Sequence, residues 1–109
     1  MTTSKTSQFT PLRSPAVQLC RQAFFRSIEE GKARKLDSYD ILRESHRAFR
    51  EAMPHLTTAA GIRDFIACVT DGMMIDVFSA TQGSKLLYAA QVASGALRNE
   101  PKAIGSPAS

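Results

Sequence analysis

Cysteine is scarce in this chain, with two residues, Cys20 and Cys68, in 109. Two thiols make no disulfide framework, and each falls among apolar neighbours at helical spacing, where a free cysteine behaves as a small hydrophobe. Long apolar runs are also missing. The longest, Phe65 to Phe78, covers 14 residues and is interrupted by Asp71 and Asp76, whereas a membrane span takes roughly 20 residues with few charges. That segment therefore reads as a core helix, and no membrane partner is expected. The first 14 residues hold no apolar stretch of the secretory kind, so the expected setting is the reducing cytoplasm with both thiols free.

Other absences narrow the chemistry. No window alternates apolar and polar residues between turn signals, so strands are not expected. Glycine-rich phosphate loops are lacking, and Thr81-Gln82-Gly83-Ser84-Lys85 matches no nucleotide fingerprint. Cys20, His46, His55 and Cys68 stand 26, 9 and 13 positions apart, without the close ligand pair that zinc sites use, so no metal or other cofactor is expected. Neither cysteine has a histidine near it in sequence to act as its base. Asp71 and Asp76 fall about 140° apart on a helix and form no carboxylate pair; the simplest reading puts both on its outer face. A non-enzymatic chain with no small-molecule substrate is expected.

What is present is helical. A hydrophobic fraction of 43% suits one globular domain of this length. Residues 1–13 are rich in Ser and Thr without periodicity and read as a flexible arm, residues 14–100 as a single helical domain, and residues 101–109 as a flexible tail. Ser14 and Pro15 open a first helix carrying Val17, Cys20, Phe24 and Ile28, with Gly31 as its stop. Asp37 or Ser38 caps a second, from about Tyr39 to Met53, with Leu42, Phe49 and Met53 inward and Pro54 ending it. Thr57 or Thr58 caps a third, in which Ile62, Phe65, Ile66, Val69, Met73 and Val77 keep phase through Gly72. Gly72 marks either a break or a close approach of another helix. A fourth runs from about Thr81 or Ser84 to Arg98, with Leu86, Leu87, Ala90, Val92, Ala93 and Leu97 buried. The expected fold is all-α, a compact bundle of about four helices, centred on Phe24, Phe49, Phe65, Phe78 and Met73-Met74-Ile75.

Charge is unevenly placed. The net +4 divides into +5 over residues 1–50 and −1 over residues 51–109. Arg43, Arg47 and Arg50 recur at i, i+4 and i+7, which sets them on one side of the second helix, and Lys32, Arg34 and Lys35 precede it. Six cations within nineteen residues suit a phosphate backbone, since guanidinium offers paired donors to phosphate oxygens. A solvated face balanced by Asp40, Glu44 and Glu51 is the plainer alternative. Few polar side chains are available on the third helix to read bases, so a helix-turn-helix is less apt than sequence-independent backbone contact. Two functions are expected candidates: docking of nucleic acid or an acidic protein surface through the basic segment, or a protein–protein subunit. The second would be a homodimeric helical adaptor or inhibitor of a larger complex, burying Met73, Met74, Val77 and Phe78 or the small-residue strip of Ala89 and Ala93.

Overall fold

A computed structural model describes residues 14–99, and the arm and tail expected at 1–13 and 101–109 lie outside them. Four α-helices follow one another: α1 (Pro15–Ala33), α2 (Ser38–Glu51), α3 (Ala59–Met74) and α4 (Ala80–Arg98). Among the described residues there is no strand, so the fold is the all-α bundle that the periodicity implies. The helices pair in order. α1 and α2 form one hairpin, α3 and α4 a second, and α1 lies against α3 to join the two.

Each helix starts on a side chain that accepts an otherwise unpaired backbone N–H. Ser14 accepts from Val17 at 3.4 Å with Pro15 following, Asp37 from Asp40 at 2.9 Å, and Thr58 from Gly61 at 2.9 Å. α4 begins earlier than expected from Thr81 or Ser84. Ser79 accepts from the Gln82 N–H at 3.1 Å while the Gln82 side chain accepts the Ser79 N–H at 2.9 Å, a reciprocal capping box. The Ser-x-x-Gln spacing is legible at 79–82.

Two helix ends differ from expectation in the same way. α1 passes through Gly31 to Ala33, and the residue that reverses the chain is Lys35, with φ 61°. The Leu36 N–H then reaches the Gly31 carbonyl at 3.0 Å, and the Lys35 N–H that of Lys32 at 3.0 Å. α3 stops at Met74, short of Val77. Asp76 takes φ 65°, and the Val77 N–H reaches the Gly72 carbonyl at 2.7 Å. Both are Schellman ends in which lysine or aspartate occupies the left-handed position that glycine usually fills. The glycines act elsewhere, at close approaches. A Cβ on Gly31 would lie 2.8 Å from Ile41 Cγ1, and one on Gly72 would lie 2.6 Å from Phe78 Cδ2. At Gly72 there is thus no mid-helix break, and the group that comes near is an aromatic ring of the following turn.

The core draws on three helices and a turn, with Val17 and Cys20 from α1, Phe49 from α2, Cys68 and Val69 from α3, and Val77 and Phe78 from the turn before α4, while Leu86 and Leu87 of α4 pack against it. Phe24, Phe49 and Phe78 form an edge-to-face series with centroids 6.5 and 5.9 Å apart, a favoured aromatic geometry. Phe65, Met73 and Ile75 pack at its margin, but Met74 is 66% exposed. The inward side of α2 also shifts. Leu42 is 52% exposed, and Ser45, fully buried with its hydroxyl donating to the Leu42 carbonyl at 2.9 Å, takes the inner position. On α4, Ala90 is buried but Val92 points outward.

Candidate anion-binding face

The short Asp37-capped start of α2 fixes the direction of its basic side. At 100° per residue Arg43, Arg47 and Arg50 fall within an arc of about 60°, and all three side chains are exposed. Phe49, turned into the core, sets that arc outward. Lys32, Arg34 and Lys35 lie in the last turn of α1 and the reversal that follows, all exposed, at the N-terminal end of α2. The structure therefore carries all six residues on its surface along one hairpin.

The six are not equivalent. Arg34 reaches Glu44 at 3.3 Å across the hairpin, and Arg43 reaches Asp40 at 3.2 Å on its own helix. The Arg43 guanidinium also lies 5.9 Å from the centroid of the Tyr39 ring. Exposed pairs of this kind contribute tenths of a kcal/mol and exchange readily for another anion. Among the described residues, Lys32, Lys35, Arg47 and Arg50 have no ion pair. Glu51 lines the seam of α1 and α2 beside Arg26 and Glu30 and, among the described residues, makes no ion pair with the arginines.

Two neighbours on the same helix complete the surface. Tyr39, His46 and Arg50 continue the row through Arg43 at spacings of four, three and four residues, and Tyr39 is 69% exposed. His46 stacks against Phe24 with centroids 6.2 Å apart. Burial, and then the positive charge of Arg50, lower its pKa from the ordinary histidine value, so it is neutral at pH 7 and adds no charge to the face. At the Arg50 end an apolar groove of about 410 Å³ opens, floored by Met53, Leu56, Phe65, Phe78 and Leu86.

Comparison with known proteins returns no family model, no curated relative and no solved structure that matches this chain. The site is therefore read from its own geometry. Among the described residues no group of three or more histidine, cysteine, aspartate or glutamate side chains is placed to hold a metal ion. Nor is any described helix long and apolar enough to cross a membrane.

The residues expected at a dimer interface separate. Val77 and Phe78 belong to the core and offer no surface. Met73 is half-buried against Gly83 of α4. Met74 and Ala89 are exposed, and Ala93 is partly so. Ile66 on α3 and Val92 on α4, which the periodicity placed on the apolar inward side, are exposed, as is Tyr88 on α4. Periodicity assigned Val92 inward because α4 is apolar on more than one side, so its buried stripe has no sharp edge.

Asp71 is a further residue that the sequence reading misplaced. It is 1% exposed, and Arg21 of α1 grips it with both Nε and Nη2, at 2.8 and 2.7 Å. The two are fifty positions apart. No local spacing signals such a pair. The only hint was an acid inside an apolar run, which burial tolerates when a bidentate guanidinium meets it.

Proposed function

We propose that this protein is a small, non-enzymatic helical module of the cytoplasm that docks nucleic acid through the outward side of α2 and the reversal before it. One observation carries the reading. Four exposed cations, Lys32, Lys35, Arg47 and Arg50, are free of ion pairs among the described residues, and Arg34 and Arg43 extend them along the same hairpin. The contact is with phosphate rather than with base edges, because α2 presents arginines, with Lys32 and Lys35 ahead of it, but no asparagine or glutamine. Tyr39 adds an exposed ring against which an unpaired base can stack.

Neutralising four to six phosphates makes log affinity fall with log salt at a slope of about −0.9 per phosphate on duplex DNA. Fluorescence anisotropy of a labelled duplex and a labelled single strand, titrated from about 50 mM salt upward, reads that slope. Reversal of Arg43, Arg47 and Arg50 to glutamate is expected to reduce affinity at least a hundredfold at low salt while the helical circular dichroism stays unchanged. Binding by neither probe at about 50 mM salt ends the proposal.

A second reading has its own observation. The outer side of the α3–α4 hairpin exposes Ile66, Met74, Tyr88 and Val92, and α4 carries two charged residues, Lys85 and Arg98, along its length. A protein partner or a second copy of the chain is what such a surface suits. Light scattering after size exclusion, over a tenfold range of concentration, is expected to give a mass that rises toward the dimer. Tyr88→Glu with Val92→Glu is expected to hold it at the monomer. A monomeric mass for the wild-type chain throughout removes the homodimer.

A further inference from the structure

Cys20 of α1 and Cys68 of α3 are both fully buried, and their Sγ atoms lie 3.7 Å apart in a thiol–thiol hydrogen bond. They meet where α1 crosses α3, the contact that joins the two helical hairpins. Their sequence neighbours reinforce the same crossing, since Arg21 follows Cys20 and its partner Asp71 lies one turn beyond Cys68. The backbones on both sides are thus held close by a bidentate ion pair beside the sulfurs. A disulfide needs its sulfurs at about 2.05 Å. From 3.7 Å the remaining approach is under 2 Å, which rotation about the two Cα–Cβ bonds and a small helix shift can supply.

We propose that Cys20 and Cys68 are an oxidisable pair that closes into an intramolecular disulfide, tying α1 to α3, when the chain meets a peroxide. The first step oxidises one sulfur. A thiolate attacks the peroxide O–O bond, a sulfenic acid forms, and hydroxide leaves and takes up the thiol proton as water. In the second step the other sulfur attacks the first, the S–O bond breaks, and a second water departs. Two thiols and one hydrogen peroxide thus become one disulfide and two waters.

Cys20 is the sulfur oxidised first. The hydrogen bond with Cys68 lowers its pKa from the ordinary value, whereas that bond and then burial push the Cys68 thiol well above the usual cysteine range. With no exposed surface, both thiols wait on a local opening of the seam, so the first step is slow. The second is fast, because the resolving sulfur is already in contact. That order favours the cross-link over further oxidation to sulfinic acid. In a reducing compartment the pair remains as thiols, and the site responds to oxidant and not to the anion bound at α2.

The test uses the full chain, folded, with hydrogen peroxide near neutral pH. Free thiols are then alkylated in denaturant and the chain is mapped with trypsin without reduction. The expected product is peptide 14–21 joined to peptide 64–85, in a chain that stays unlinked to other copies. Its melting temperature is expected to rise on the order of 10 °C, since the link closes a long loop, and to return on reduction. Cys68→Ala is expected to lose that rise and to accumulate Cys20 sulfenic acid. The proposal is overturned if native chains keep both thiols while denatured chains oxidise. Links between copies, Cys20 sulfinic acid without the joined peptides, or a joined form that melts no higher would overturn it as well.

Discussion

Arg21 and Asp71 hold the most consequential polar contact at the scale of single residues. Asp71 has no side-chain surface in water, and among the described residues Arg21 supplies both of the side-chain hydrogen bonds it receives. Removing one partner leaves the other charge in the interior, which typically costs about 3–5 kcal/mol, whereas replacing both with apolar groups of similar size is often neutral. Arg21→Met is therefore expected to lower stability by that amount in urea unfolding. Arg21→Met combined with Asp71→Leu is expected to recover most of the loss. If the double variant is no more stable than the single one, the carboxylate is not the group whose burial is being measured. The arginine belongs to the same element as Cys20 yet points to a different neighbour, because successive positions on a helix are turned by 100°.

At the scale of elements, the informative places are the helix ends. α1 and α3 both terminate on a residue with positive φ, Lys35 and Asp76, four positions after a glycine used for close packing. Aspartate visits that region with moderate ease and lysine with less, because its Cβ crowds the following carbonyl. Lys35→Gly relieves that strain, offset in part by the greater freedom of glycine in the unfolded chain, and is expected to gain about 0.5–1 kcal/mol. The same variant removes one phosphate contact, so its salt slope is expected to flatten by about 0.9. Thermal melts and anisotropy on one protein preparation check both halves. A variant that gains stability without losing slope places Lys35 outside the binding face.

At the scale of the whole molecule, two hairpins share one core. Phe49 of the first meets Phe78 at the head of the second, and no hairpin buries its own side without the other. Unfolding is therefore expected to be a single cooperative transition. The two tyrosines report on it conveniently, because Tyr39 lies on α2 and Tyr88 on α4. Tyr88→Phe leaves the first hairpin alone fluorescent and Tyr39→Phe the second, and both variants are expected to show the same urea midpoint. Phe49→Ala should move the two midpoints down together, by about 3–5 kcal/mol in stability. Separate midpoints would mean that the hairpins unfold independently. The charge distribution follows the same division, with the basic side on the first hairpin and an exterior poor in charge on the second.

Local signals in the chain set the elements. Helical spacing of Val17, Cys20 and Phe24, the caps at Ser14, Asp37 and Thr58, and the proline at 54 are short-range signals, and each acts through neighbours within one or two turns. The grouping of Arg43, Arg47 and Arg50 is of the same kind, since it needs only the pitch of one helix. Tertiary structure alone decided what lies between helices. It turned Leu42 outward and Ser45 inward, put Val77 and Phe78, for which spacing allowed either core or interface, in the core, and brought Arg21 to Asp71 and Cys20 to Cys68. Those contacts join positions 48 and 50 residues apart. Their existence depends on how α1 crosses α3, a packing angle set by the summed shape of many side chains and not by any local run of them.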